Sequence, residues 1–276
     1  MTDRLAFIRA LFDDAAAREH ALTPLIAPLT ADLVRYAAPQ PHDRVLDVDT
    51  GTGTVARLLS PHVRTVTGLD LSTRSLHVAH TRSPSLRCVC GDIHRPPFAP
   101  GSFSLIVASF GLNATDPNRS LRALRRLIAP EGRVVIQEWG PEDALRSALG
   151  DVLARHATHT PDAALRTLRD QLDAYAPVWD AYMQDVDEYV ERLTDLGLTV
   201  THAAEESPVD VIAPVDAFLA YWTAQPGRFE ELRAMTPAQR AAFNADARAV
   251  LDRASLRGRI TWQPVLFRVT ARARER

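Results

Sequence analysis

The sequence predicts an α/β fold built on a doubly wound, mostly parallel sheet. Three observations predict it. Strand-like apolar runs and helix-like stripes alternate five times over residues 45–139. The run Leu105 to Ser109 is apolar at nearly every position, as in a parallel strand covered on both faces. Finally, Val45, Leu46 and Val48 lead through a turn carrying Gly51 and Gly53 into the helical stripe Val55, Ala56, Leu58 and Leu59. A helix starting there offers unpaired N–H groups and the positive end of its dipole to a ligand.

Taken in order, residues 1–40 are predicted to form two or three leading helices. Leu25, Ile26, Leu29, Leu33 and Val34 make a helical stripe, with Thr23-Pro24 as cap and first position. Pro28 should delay the regular helix until that residue. After the glycine turn, Thr65 to Asp70 reads as a second strand ending in an acid placed to accept ribose hydroxyls, with Leu71 beside it. Ser72 caps the next helix, on which His77 and His80 read as solvated. Leu86 to Val89 is the third strand, followed by Gly91-Asp92-Ile93 and the turn-rich stretch His94 to Phe98. Asp116-Pro117 opens a helix whose stripe is Leu121, Leu124, Leu127 and Ile128, with Arg122, Arg125 and Arg126 as a solvated face. The fifth strand runs from Arg133 to Trp139. Ligands of such sheets bind at the carboxyl ends of the strands, where Asp47, Asp70, Asp92, Ser109 and Glu138 all fall.

Asp47-x-Asp49-x-Gly51-x-Gly53 resembles the acid-x-Gly-x-Gly-x-Gly motif of class I S-adenosylmethionine-dependent methyltransferases, with Asp49 where that family has its first glycine. Gly51-x-Gly53-x-x-Ala56 also fits the dinucleotide fingerprint. The segment Gly91 to Val107 resembles the methyltransferases' adenine-binding segment. The stretch Phe110 to Asp116 resembles the corresponding loop of ubiquinone and menaquinone C-methyltransferases, the methyltransferase type 11 group. The resemblance implies a Rossmann-like methyltransferase fold that binds S-adenosylmethionine and releases S-adenosylhomocysteine. It implies that Asp47, Asp49, Gly51, Gly53, Asp70, Leu71, Asp92, Ile93 and Ser109 contact the cofactor. Asp92 would take the adenine amino group and Ile93 would pack on the ring. Asp49 brings a Cβ and a charge into the turn, so it is expected to weaken cofactor binding without abolishing it.

The chain is read as a single domain. Residues 1–40 are leading helices, 41–140 the cofactor-binding core, 141–198 a helical insertion and 199–276 the strands and helices completing the sheet. Helices are expected over 142–157 and 161–196, the second interrupted at Pro177. The resemblance implies that this insertion is a lid over the substrate. Tyr175, Trp179 and Tyr182 share one helical face there, as a substrate wall or a core stripe. Thr199 to Thr201 and Val209 to Ile212 are short strand candidates; Pro214 to Ala224 and Thr236 to Leu256 are helices, with Gly258 as a C-cap. Ile260 to Val269 is a final strand, which the resemblance makes antiparallel and the last of seven.

The 276 residues carry a net charge of −2, giving no basic field for nucleic acid. All 32 basic residues are arginine, which excludes Schiff-base chemistry and a P-loop lysine. Cys88 and Cys90, two apart in one strand, read as small core residues, and no metal site is expected. No charged-then-apolar leader and no run of membrane-spanning length is present, so a cytoplasmic location is expected. Methyl transfer to a small-molecule acceptor is the leading reading. A non-catalytic relative that keeps the fold and a nicotinamide-dependent oxidoreductase are the alternatives. Methyl transfer needs chiefly alignment and exclusion of water. If a base is needed, Glu138 and His20 are the candidates.

Overall fold

Alternate residues of each buried strand point to opposite faces, and both faces here are apolar, so helices must cover each. The computed structural model describes residues 2–175 and 183–274. Its central strand β1 (Arg44–Val48) lies between β2 (Thr65–Asp70) and β4 (Phe103–Ser109), parallel to both. β3 (Arg87–Cys90) extends the sheet beyond β2, and β5 (Ile128–Trp139) extends it beyond β4. β9 (Leu266–Ala273) then pairs antiparallel with both β5 and β6 (Leu198–Glu206), closing a seven-stranded sheet in the order β3-β2-β1-β4-β5-β9-β6. The reversed β9 separates this sheet from an all-parallel one.

Leu46, Val48, Ile106 and Ala108 pack with α5 (Pro117–Leu127) and α8 (Val186–Asp195) on one face. Val45, Leu105 and Val107 pack with α3 (Thr54–Leu59), α4 (Thr73–Arg82) and the end of α2 (Glu19–Tyr36) on the other. The remaining helices gather on a third cluster with the two-stranded ribbon of β7 (Val211–Pro214) and β8 (Arg259–Trp262). These are α6 (Ala144–His156), α9 (Val215–Ala224), α10 (Arg228–Ala234) and α11 (Pro237–Ala254). Trp222, Trp262, Tyr221, Phe218 and Phe243 fill its centre. No helix among the described residues is long and apolar enough to cross a membrane.

Several expectations are corrected. α2 begins at Glu19, not at Thr23-Pro24 or Pro28, and carries both prolines inside it. Each proline forgoes one helical hydrogen bond, but the complete burial of Leu29 and Leu33 and near-complete burial of Leu25 hold the helix together. The final strand is two strands: Trp262 ends β8 in the ribbon, and Gln263-Pro264-Val265 breaks the chain before β9. Gly258 is no helix cap. With Arg257 (φ 54°) it forms, at φ 73°, the two-residue turn of a tight hairpin closed by Leu256 and Arg259. Cys90 is exposed and Cys88 half-buried because β3 is an edge strand, although both are free thiols. α10 was not foreseen; its first turn is capped by Glu230 folding back on the Gly227 N–H.

α6 packs against α11, and α8 buries Tyr189 and Leu193 under the sheet. α7 (Ala163–Tyr175) is tied to α10 through Arg169 and Glu231. No described residue of 141–198 lines either cavity at the strand ends. Trp179 and Tyr182 lie outside the described residues. The cover comes instead from α1 (Thr2–Ala16) and α2.

Candidate functional site

Asp47, Asp70 and Asp92 at the strand ends each accept at least one backbone N–H. Asp47, 1% exposed, accepts from Thr50 Oγ1 at 2.5 Å and from the Ala56 N–H at 3.0 Å, which ties α3 to the strand. Burial pushes its carboxyl up to about 7 against those two hydrogen bonds. The loop between turns through left-handed conformations at Asp49 (φ 52°), Gly51 (φ 55°) and Gly53 (φ 81°). Asp70 receives the Gly51 N–H on one oxygen and the Ser72 N–H on the other, both at 2.7 Å. Burial raises its pKa as well, against the pull of these two donors. Each oxygen keeps a second lone pair.

Asp92 is positioned by a residue the sequence reading took for a loop residue. Asp92 Oδ1 accepts the His94 N–H at 2.9 Å and lies 3.1 Å from Nδ1, while Nε2 of the same ring accepts the Asp116 N–H at 3.0 Å. That last bond assigns the proton to Nδ1, so the neutral imidazole donates to Asp92. Burial lowers the pKa of His94 and favours this form, against the pull of Asp92.

At the end of β4 the chain passes Ser109, then Phe110 at φ 59°, then Gly111. Phe110 stacks on Trp139 with ring centres 4.1 Å apart. Glu138, fully buried, accepts the Leu112 N–H at 2.9 Å on Oε1; Oε2 has no partner among the described residues. Burial pushes it up to about 8 against donors from Leu112, Gly111 and Asn113. It fastens this loop and lines neither cavity.

Two cavities result. The first, of about 190 Å³, is lined by Asp49, Gly51, Asp70, Leu71, Asp92 and Ile93, and roofed by Leu5, Ile8, Arg9 and Phe12 of α1. α1 is docked by Arg9 Nε on the Leu71 carbonyl at 3.1 Å, and by Asp13, which accepts from Ser72 Oγ at 2.5 Å and the Arg74 N–H at 3.1 Å. The second, of about 400 Å³, has an apolar and aromatic wall of Leu22, Ile26, Phe110, Trp139 and Tyr221, with Asp47, Ser109 and Glu19 at its edge. Glu19 is clamped by both guanidinium nitrogens of Arg82, which hold its carboxyl below the usual range. It fixes α2 over the glycine loop. Phe12, Asp49, Gly51, Ser75 and Phe110 line both cavities.

The structure thus brings eight of the nine expected cofactor residues to the cavities. Gly53 is the exception: it lines neither, and an added Cβ would meet Ala79 Cβ at 3.0 Å, so it serves the packing of α3 on α4. Of the two base candidates, His20 is exposed on α2 and lines neither cavity, and Glu138 is committed to its loop. Nothing in the sequence marked Glu19, whose partner lies 63 residues away. His94, two residues after Asp92, could have been found from a histidine's ability to bridge two loops.

A family model described as a methyltransferase domain matches residues 46–136. Demethylmenaquinone methyltransferase of Thermotoga maritima is 43% identical over 108 residues, covering 38% of this chain and 47% of that protein. The enzyme of the same name from Beutenbergia cavernae is 32% identical over 196 residues, covering 63% of this chain and 81% of that protein. The chain therefore spans about half of the first relative and four-fifths of the second. Haemonchus contortus phosphoethanolamine N-methyltransferase 2, solved with S-adenosyl-L-methionine, shares the fold, with a TM-score of 0.53 at 16% identity over 90% of this chain and 53% of that one.

Proposed function

The chain belongs to the class I S-adenosylmethionine-dependent methyltransferases, and from that premise we propose that it methylates a small, planar acceptor seated in the larger cavity. One observation carries the reading: two cavities, one edged by the strand-end acids and one walled by stacked aromatic rings, meet at Asp49, Gly51 and Phe110. The first cavity fits a nucleoside. The outer lone pairs of Asp70 are free for ribose hydroxyls, Asp92 for an exocyclic amine, and Ile93 for the ring face. Gly51 leaves open space where a side chain would stand. When bound, S-adenosylmethionine supplies an electrophilic methyl group.

The protein's own part is alignment. Phe110 and Trp139 offer a flat wall on which an aromatic or quinone-type acceptor stacks, as the name demethylmenaquinone methyltransferase suggests for the relatives. α1 and α2 exclude water from above, which favours an in-line approach over hydrolysis. Neither Glu138 nor His20 takes part. The reading excludes nucleic acid as acceptor, supported by the arginines of α5. Arg125 binds the Leu196 carbonyl and Arg126 the Pro96 and Phe98 carbonyls, so these two serve the chain's own loops.

Calorimetric titration tests the cofactor. S-adenosylmethionine should bind with one site per chain and NAD should not; the opposite result ends the proposal. Quenching of tryptophan fluorescence by a naphthoquinol in the presence of S-adenosylhomocysteine tests the acceptor wall, because Trp139 forms it. Unchanged emission at saturating acceptor would remove the larger cavity from the reading.

A further inference from the structure

We propose that Asp49 makes the site selective for the positively charged cofactor over its uncharged product. The proposal rests on the reading above, that the two cavities hold S-adenosylmethionine and the acceptor. A methyl group passing from one to the other has to cross where they meet. Asp49 stands at that junction, shared by both cavities with Gly51 and Phe110.

The side chain is set there against backbone preference. Its residue occupies a left-handed conformation (φ 52°), the position of a family glycine, which aspartate tolerates better than most side chains. The opposing loop has to give way: a Cβ on Gly111 would come within 2.3 Å of Asp49 Cβ and 2.9 Å of Oδ2. Oδ2 is shielded from solvent and accepts no hydrogen bond from the described residues, so it does not turn back to cap the N–H groups of its own loop. A buried carboxylate oxygen left this way asks for a donor or a positive charge.

The surroundings ask for the same thing. Burial raises the pKa of Asp49 well above the ordinary value, and the charges of Asp70, Glu138, Asp47 and Asp92 raise it further. Of the arginines that line the nucleoside cavity, which include Arg119, Arg9 bonds the Leu71 carbonyl and Arg4 the Ala114 carbonyl. Burial favours the protonated form of Asp49 in the empty site, and a cation entering the junction favours the ionised form. A sulfonium there is attracted, and the thioether left after methyl transfer is not. Asp49 thus favours release of the product, where a charged side chain in place of glycine was expected only to handicap binding.

The test compares three ligands that share the nucleoside and amino-acid ends and differ at the centre that joins them. S-adenosylmethionine carries a sulfonium, sinefungin a protonated amine in its place, and S-adenosylhomocysteine an uncharged sulfur. Dissociation constants are measured by calorimetry for the wild type, Asp49→Asn and Asp49→Gly. Both variants should lose at least fivefold in affinity for the two cations and change by less than twofold for S-adenosylhomocysteine. Asp49→Gly guards against a folding artefact, because glycine is at ease at this φ and should melt no lower than the wild type. An equal loss for all three ligands would place the carboxylate on the amino end they share and overturn the proposal. So would unchanged affinities. A wild type that binds none of the three overturns the cofactor reading itself, and the proposal with it.

Discussion

Replacing Glu138 by glutamine should flatten the dependence of stability on pH. Glu138 is fully buried, and its pKa rises from an ordinary 4.5 to about 8 in the fold. Between those values the native state holds a proton that the unfolded chain has released. Stability therefore falls as pH rises, by about 1.4 kcal/mol per pH unit from this group alone. Over the full interval the loss approaches roughly 4–5 kcal/mol, an upper figure for one buried carboxyl. Below pH 4.5 the group is protonated in both states and contributes nothing to the slope. Glutamine keeps an acceptor for the Leu112 N–H, now 2.9 Å from Oε1, and cannot ionise. Its amide meets the same unpartnered surroundings as Oε2, so the absolute stability of the variant carries an added cost of about 1–3 kcal/mol. That cost does not vary with pH, and the slope isolates the ionisation. Urea unfolding at half-unit steps from pH 5.5 to 7.5 measures it. The variant should lose stability less steeply than the wild type by about 1 kcal/mol per pH unit. Parallel curves would mean that Glu138 ionises normally and that its burial has been misjudged.

Two further substitutions read the site directly. Asp70→Ala removes the acceptor of the Gly51 and Ser72 N–H groups and the expected ribose ligand; S-adenosylhomocysteine binding should weaken by about 1.5–3 kcal/mol, measured by calorimetry on protein shown to be folded. An unchanged affinity would take Asp70 out of the site. Gly111→Ala forces its new methyl against Asp49 Cβ and should destabilise the fold by about 1–3 kcal/mol in urea unfolding. Adding Asp49→Gly should restore most of that loss, and a double variant no more stable than the single one would show that the two residues do not collide.

What could be read from the sequence was what depends on near neighbours. The caps Ser72 and Asp116 each bond the N–H three residues on, and both were read correctly. The strand-end acids were visible because each follows an apolar run directly. Errors arose where a distant contact overrode a local rule. Pro24 and Pro28 argue for a later start to a helix that begins at Glu19 and that tertiary burial of Leu25, Leu29 and Leu33 holds in place. Apolar residues from Ile260 to Val269 suggested one strand because nothing local said that Trp262 belongs to a ribbon with β7. The lid is expected by analogy in the insertion, whereas α1, which roofs the first cavity, is bound through Asp13 to residues some 60 positions away and gives no local sign of it. Glu138 was correctly placed at a strand end; its commitment to the Leu112 loop depends on a contact 26 residues back.

The docking of α1 sets a clock as well as a wall. Four polar ties, Arg4 to the Ala114 carbonyl, Arg9 to the Leu71 carbonyl and Asp13 to Ser72 and Arg74, hold it across the nucleoside cavity. At about 1 kcal/mol each, they leave the helix lifted in roughly one molecule in a thousand. A nucleoside arriving from solvent meets a closed face on most encounters, and one already inside waits for the same rare opening to depart. The larger cavity lies under α2 and α9 but shares this roof, with Phe12, Ala15 and Ala16 of α1 in its lining. Lifting α1 would therefore open both cavities at once. One door would then set the pace for both ligands.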